Sequence, residues 1–129
     1  MLYAKNVARL RAFYSDVAGL TLTHEEVDHA VVESPTFQLV IHAIPADIAA
    51  TITILAPPER RTDVPVKLVF PVASIDAARE AAGRLGGELN PREMVWKYQG
   101  CRICDGHDPE GNVVQFREQG PGAASRTAS

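Results

Sequence analysis

The sequence predicts an α+β protein made of two pseudo-symmetric βαβββ modules, whose curved sheets form a cleft with the helices outside. The first observation is an internal repeat, since a shift of 68 residues (74 − 6) brings the predicted helix cap Asn6 onto Ser74. At a shift of 74 residues (109 − 35), Pro35 in a later turn meets Pro109, so the second module carries about six extra residues (74 − 68). The second observation is a segment rich in proline and charge, residues 56–65, that separates the modules near the midpoint of the chain.

The composition is that of an ordinary globular domain. The chain has 129 residues, of which 46% are apolar and 22% charged, which fits one domain that folds without disulfide bonds. A net charge of −3 with no basic stripe argues against nucleic acid as a partner. Because no apolar run is long enough to span a bilayer and the N-terminus lacks a signal-peptide core, we expect a cytoplasmic protein without membrane contact.

The first module is predicted to span residues 1–55. A short strand precedes Asn6, which is a good N-cap, and the helix after it carries apolar residues at the spacing of an amphipathic face. Alternation of apolar and polar residues then predicts three strands, at residues 20–26, 29–33 and 37–44.

The second module is predicted to span residues 66–118. It follows the linker at residues 56–65, which holds three prolines and four charged residues. Its opening strand leads into a helix that Ser74 caps. Further strands are expected at residues 88–90, 94–96, 98–105 and 113–118. The tail, residues 119–129, has no large apolar residue and is expected to be disordered.

Several of the predicted strands carry polar side chains on one face and apolar side chains on the other. In the last strand, Gln115 and Arg117 alternate with apolar residues. His42 in the strand at 37–44, and Lys67 at the opening of the second module, lie on the corresponding polar faces. This pattern predicts a sheet with core on one side and a polar ligand cavity on the other, where Trp96 is a candidate to stack on a ligand.

The remaining histidines and the two cysteines are assigned ordinary roles. His24 and His29 flank a predicted hairpin turn and are expected to be solvated, and His107 is expected at the surface beside a turn. Cys101 and Cys104 stand three positions apart in a predicted strand and therefore point to opposite faces. We interpret them as reduced thiols rather than as a redox pair or a zinc site.

Three stretches of the chain carry a family resemblance. They are FYSDVAGL at residues 13–20, VKLVFPVASIDAAREAAGRLGG at residues 66–87, and DPEGNVVQF at residues 108–116. Together they resemble the vicinal oxygen chelate superfamily, the group of glyoxalases, bleomycin resistance proteins and extradiol dioxygenases. The resemblance implies paired βαβββ modules, a ligand cavity lined by the concave sheet faces, and a homodimer. It does not fix the chemistry, because members include lyases, isomerases, dioxygenases, thiol transferases and drug binders.

Enzymes of this superfamily typically hold a divalent metal with His, Glu or Gln from both modules, so the resemblance implies positions where ligands are expected. Where the last strand usually has Glu, this chain has Gln115. Where the second module often opens with His, it has Lys67, which offers no lone pair at neutral pH. The metal-ligand candidates left are His42 and Gln115, both weak, so a complete metal centre is not expected, although a divalent metal stays open as a cofactor.

Three functions are consistent with the sequence. The first is a protein that binds a small molecule in the cleft without a complete metal centre, through His42, Lys67, Trp96, Gln115 and Arg117. The second is a metal-dependent lyase or dioxygenase. The third is a drug-sequestration protein that confers antibiotic resistance. Cationic aromatic drugs would favour an acidic, aromatic cleft, whereas this chain is 6% aromatic and places Lys67 and Arg117 there, which favours an anionic or neutral ligand.

Overall fold

The computed structural model describes residues 1–120, which contain three α-helices and nine strands. The helices are α1 (Val7–Asp16), α2 (Ala46–Ala49) and α3 (Ile75–Arg84). The strands are β1 (Leu2–Ala4), β2 (Thr21–Glu25), β3 (His29–Ser34), β4 (Phe37–Ala43), β5 (Leu68–Val72), β6 (Glu88–Leu89), β7 (Trp96–Tyr98), β8 (Cys101–His107) and β9 (Val113–Gln119). Among the described residues, no helix has the length and apolar character needed to cross a membrane. The tail predicted at residues 119–129 lies outside the described residues from position 121 onward.

The two sheets have the same topology, which confirms the predicted pair of pseudo-symmetric βαβββ modules. The first sheet has the strand order β1-β4-β3-β2, and the second has the order β5-β9-β8-β6, with β7 added alongside β8. In each sheet the first strand of the module lies parallel to the last strand, while the other pairs are antiparallel. In both modules a helix follows the first strand and connects it to the strand at the opposite edge of the same sheet.

Both main helices begin where the sequence predicted. The Asn6 side chain accepts a hydrogen bond from the backbone N–H of Arg9 at 3.1 Å. The Ser74 hydroxyl accepts one from the backbone N–H of Ala77 at 3.1 Å, in the equivalent position of the second module. These bonds satisfy N–H groups that have no partner within the first turn of a helix.

One hydrophobic core joins the two modules within the described residues. Helix α1 contributes Leu10, Phe13 and Tyr14, helix α3 contributes Ile75, Ala78 and Ala82, and both sheets supply apolar side chains to the same cluster. Since side chains alternate along a strand, residues between the core positions point away from the helices. We call these surfaces the first open face, which includes Tyr3 and His42, and the second open face, which includes Val69 and Gln115.

The DPEGN turn locks the second module against the start of α1. The buried Asp108 carboxylate accepts a hydrogen bond from the Tyr14 hydroxyl at 2.7 Å. The buried Glu110 carboxylate accepts from the backbone N–H groups of Lys5 and Asn6, at 2.9 and 2.8 Å. Burial raises the pKa of Tyr14 well above its ordinary value of 10.0, and the neighbouring Asp108 adds to the effect. The turn therefore joins the modules through charged hydrogen bonds that water does not weaken.

Three details differ from the sequence prediction. Arg92–Met94 form a 3-10 helix, so the strand expected at residues 94–96 lies instead at Trp96–Tyr98, as β7. The strand expected at residues 98–105 begins only at Cys101, because Gln99 and Gly100 have φ angles of 49° and 78° and form a hairpin turn between β7 and β8. The linker at residues 56–65 has no helix or strand, but it docks on the second module. Its Arg61 donates from the backbone N–H to the Gly111 carbonyl at 2.8 Å and from Nε to the Glu110 carbonyl at 3.1 Å.

Candidate ligand-binding site

The second open face carries three of the polar residues that the sequence selected. Val69, Gln115 and Asp105 lie opposite one another across β5, β9 and β8, on the side away from the core residue Phe116. Arg117 lies two residues after Gln115 on β9 and therefore on the same face, and Lys67 directly precedes β5. The polar side chains that strand alternation assigned to one face therefore lie together on that face.

Four of these side chains form a continuous chain of hydrogen bonds. The Lys67 ammonium lies 2.9 Å from Asp105 Oδ2 and donates to it. Gln115 Nε2 donates to Asp105 Oδ1 at 3.1 Å, and Arg117 Nε donates to Gln115 Oε1 at 3.1 Å. Gln115 is only 8% exposed, so its amide orientation is fixed by these two neighbours.

The residues at this position do not fit a divalent metal. The Lys67 ammonium has only donors and places a positive charge beside Asp105, where a second cation would be repelled. The Gln115 amide has its nitrogen committed to Asp105 and its oxygen to Arg117. Asp105 is the one carboxylate in this hydrogen-bonded chain, so the ligand set that the family resemblance implies is missing here.

Lys67 also lines a cavity of about 370 Å³ between the linker and the second sheet. Arg60, Arg61 and Lys67 give it three cationic side chains, against one carboxylate from Asp105. Arg60 donates hydrogen bonds to two uncharged partners, His107 Nδ1 at 2.8 Å and the Asn90 amide oxygen. Neither partner neutralises the positive charge of its guanidinium. The cavity is therefore electropositive and suits an anion.

A larger cavity of about 570 Å³ lies on the other side of the linker, but its chemistry differs. Arg60 and Arg61 border it as well, together with the carboxylates of Glu59, Asp63 and Glu110. None of the residues selected from the sequence lines this cavity. Its acidic residues outnumber its basic ones, so it does not share the preference of the smaller cavity for an anion.

Trp96 lies on the second open face, across two strands from Arg117. Trp96 and Arg117 are both register partners of Ile103 in β8, so all three side chains share one face. Ile103 is buried between them, whereas Trp96 and Tyr98 are 41% and 54% exposed. The face thus combines an exposed guanidinium with exposed aromatic rings, which can stack on a planar ligand.

His42 lies on the first open face and takes no part in the cluster around Gln115. Its Nδ1 bonds to the Ala43 carbonyl at 2.9 Å, and its Nε2 faces an Asp28 carboxylate oxygen at 3.7 Å. The side-chain partners of Gln115, by contrast, are Asp105 and Arg117 in the second module. The structure does not bring the two metal-ligand candidates His42 and Gln115 into contact, and the roles of the selected residues in ligand binding stay predictions.

The expectation that His107 lies at the surface is wrong. His107 is 4% exposed and accepts a hydrogen bond from Arg60, a residue of the linker. Burial and the Arg60 charge hold the pKa of His107 below its ordinary value, which keeps the ring neutral and able to accept this bond. Sequence reasoning also missed Asp105, although its place opposite Gln115 follows once the pairing of β8 and β9 is known.

The repeated topology and the polar open faces define the glyoxalase, bleomycin resistance and dioxygenase fold class. A family model described as a Glyoxalase-like domain matches residues 1–116, and the chain therefore belongs to this family. No curated protein is similar enough in sequence to count as a match.

Solved structures share the fold at low sequence identity. A glyoxalase/bleomycin resistance protein/dioxygenase family enzyme from Burkholderia phytofirmans PsJN is 16% identical, with a TM-score of 0.66 over 91% of this chain and 93% of that one. A fosfomycin resistance protein from Mesorhizobium loti is 10% identical, with a TM-score of 0.61 over 96% and 92%. A bleomycin-binding protein from Streptomyces verticillus, complexed with copper(II)-bleomycin, is 23% identical, with a TM-score of 0.53 over 92% and 91%. These likenesses show the shared fold.

Proposed function

We propose that this protein binds a small organic anion on its second open face and needs no metal at that position to do so. The hydrogen-bonded chain from Lys67 through Asp105 and Gln115 to Arg117 carries the proposal. A side-chain ammonium occupies the place where the family resemblance implies a metal ligand. The site therefore offers fixed positive charge and hydrogen-bond donors to a ligand instead of open coordination positions.

Arg117 supplies the anchor for the anionic group. Its Nε is oriented by Gln115, and no carboxylate among residues 1–120 forms an ion pair with its guanidinium. Carboxylates and phosphates match the planar fork of a guanidinium, and such charge-assisted bonds are about twice as strong as neutral ones. Trp96 would cover the apolar part of the same ligand, and the Lys67 ammonium, which uses one N–H on Asp105, keeps further N–H donors for the anion.

The same charges support ranking the remaining functions below anion binding. A cationic drug would meet Lys67 and Arg117, which disfavours drug sequestration of the kind that cationic glycopeptides require. A lyase or dioxygenase would depend on a metal at Gln115. The Gln115 amide and the Lys67 ammonium at this position do not make a ligand set for one. We therefore place binding of an anionic small molecule first.

We also propose that the protein is a homodimer, as the family resemblance implies. Large apolar side chains outside the two open faces are exposed and could be covered by a second copy, among them Ile48, Leu55 and Met94. Sedimentation equilibrium at several concentrations measures the state directly. A dimer that dissociates on dilution is expected, and a monomer at every concentration would contradict it.

The experiment for ligand binding is a thermal melt of EDTA-treated protein with a panel of small carboxylates, phosphate esters and matched amines. A ligand at a hundredfold excess over its Kd stabilises the folded state by about 2.7 kcal/mol, which gives a shift of several degrees. At least one anion should raise the melting temperature of the wild type, and Lys67→Met and Arg117→Met should reduce the shift.

Lys97→Met is the matched control, because Lys97 is exposed on β7 and alternates with Trp96, so it points away from the proposed site. It removes the same charge but should leave the shift unchanged. Stabilisation by the amines alone, or equal loss of the anion shift in Lys97→Met, would refute the proposal. A panel in which no anion shifts the wild type counts against it as well.

A further inference from the structure

The first open face holds a cluster of two histidines and an aspartate that the proposed function does not use. Ligand atoms of Asp28, His29 and His42 all lie within 4.8 Å of one another. We propose that these three side chains form a binding site for a divalent transition-metal ion of the Zn²⁺, Ni²⁺ or Cu²⁺ type. The site belongs to the first module, whereas Lys67 and Gln115 belong to the second.

The backbone holds the three residues in place. His29 and His42 are direct register partners in the antiparallel pair β3 and β4, so their side chains emerge side by side on one face. Asp28 directly precedes β3, and its carbonyl accepts a hydrogen bond from the Ala43 N–H at 2.7 Å. The Glu26 N–H closes the turn by donating to the His29 carbonyl at 2.8 Å. Ligands carried on paired strands keep their positions without an ion, which lowers the cost of binding one.

The ring nitrogens are oriented for coordination. His42 Nδ1 faces the Ala43 carbonyl at 2.9 Å, and because a carbonyl only accepts, the neutral ring carries its proton there and its lone pair on Nε2. A bond of this kind from the second ring nitrogen is what orients histidines that bind metals. His42 Nε2 points at Asp28 Oδ2, 3.7 Å away.

His29 completes the set from the other side of the carboxylate. Its Nδ1 lies 2.8 Å from Asp28 Oδ1 and donates to it in the absence of an ion. To coordinate an ion through Nδ1, the ring must move its proton to Nε2, which exchange with water allows at this partly exposed position.

Two imidazole nitrogens and one carboxylate oxygen suit borderline divalent ions. Metal–ligand bonds of about 2.0–2.2 Å place neighbouring ligand atoms roughly 3–3.5 Å apart. The 2.8 Å and 3.7 Å separations from Asp28 lie close to this range, and the three ligand atoms, all within 4.8 Å of one another, would draw together by side-chain rotation around an ion. The side chains of His29 and His42 are 29% and 36% exposed, which lets an ion enter and leaves coordination positions for water or a ligand.

The test is Zn²⁺ binding by the full chain without a histidine tag, measured by competition with a chromophoric chelator. We expect close to one Zn²⁺ per chain. His29→Gln, His42→Gln and Asp28→Asn should each weaken binding at least about tenfold. His24→Gln is the matched control, because the His24 ring lies only 5.4 Å from that of His29 but is paired with Glu26 and stands outside the cluster. The Zn²⁺ affinity of His24→Gln should equal that of the wild type.

Melts in EDTA check that the variants fold, and these surface substitutions should leave the melting temperature almost unchanged. A second readout needs no variant, since the nitrogen hyperfine splitting of bound Cu²⁺ reports whether two imidazoles are ligands. The absence of Zn²⁺ binding, unchanged affinity in all three variants, or equal loss in His24→Gln would overturn the proposal. Gln115→Ala should retain full Zn²⁺ affinity, and loss of binding in that variant would place the ion in the second module instead.

Discussion

Glu110→Gln tests whether the DPEGN turn holds the two modules together. Glu110 is 4% exposed, and its two carboxylate oxygens accept from the backbone N–H groups of Lys5 and Asn6, at 2.9 and 2.8 Å. Glutamine has nearly the same shape, but its NH₂ group must face one of these N–H groups. The substitution therefore removes one charge-assisted bond and leaves a buried donor without an acceptor, without creating a cavity.

The magnitude follows from the bonds that are lost. A hydrogen bond to a charged group contributes about 1.5–3 kcal/mol, and an unsatisfied buried donor has a cost of similar size. We expect the free energy of unfolding to fall by about 2 kcal/mol. With a urea m-value of about 1–3 kcal/mol/M for a domain of this kind, the unfolding midpoint should move down by about 1 M.

The assay is equilibrium urea denaturation followed by circular dichroism, with Glu80→Gln as the matched control. Glu80 is exposed on α3, and the same substitution there should change stability by less than about 0.5 kcal/mol. A Glu110→Gln midpoint no lower than that of the control would refute the view that this turn joins the modules.

Three further predictions concern stability and charge. Tyr14→Phe removes a hydroxyl whose pKa is raised by burial. Because the folded wild type keeps this proton while the unfolded chain loses it near pH 10, wild-type stability should fall above that pH. The variant should lose less stability over the same range, as urea midpoints across pH 8–11 would show. Gly111→Ala should destabilise the fold by at least about 1–2 kcal/mol, because φ is +86° and a Cβ would collide with the Glu59 carbonyl. Gly83→Ala, at an uncrowded helix position, should instead stabilise the fold by about 0.5–1 kcal/mol, measured by the same urea denaturation. Asp105→Asn removes the carboxylate beside the Lys67 ammonium and should tighten the binding of an organic anion severalfold by calorimetric titration, and weaker binding would contradict the charge argument.

Local patterns in the sequence were enough to predict the repeated architecture. Asn6 and Ser74 are caps because their side chains satisfy N–H groups within three residues, and this information is entirely local. The open-face positions of Gln115 and Arg117 follow from strand alternation, which is also local. The repeat predicted two units with the same order of elements, and the structure adds that the first and last strands of each unit pair in parallel.

Long-range contacts account for what the sequence did not show. His107 is buried because the linker folds back and brings Arg60 to it, across 47 residues of chain. Asp105 belongs to the site through its pairing with β9, and the predicted strand boundary nearby was wrong because a turn at Gln99 and Gly100 was not recognised. The grouping of His29 with His42 depends on the register of β3 and β4, which alternation alone does not specify.

The most direct test of the proposed function measures the affinity of the best anion from the melt panel twice, by isothermal titration in EDTA and in saturating Zn²⁺. The second open face presents the Lys67 ammonium and the Arg117 guanidinium to the ligand, and neither requires a metal. We therefore predict the same Kd under both conditions and a clear loss of affinity in Lys67→Met. Binding that occurs only with Zn²⁺ and is abolished by Gln115→Ala would contradict the account and would indicate a metal centre in the second module.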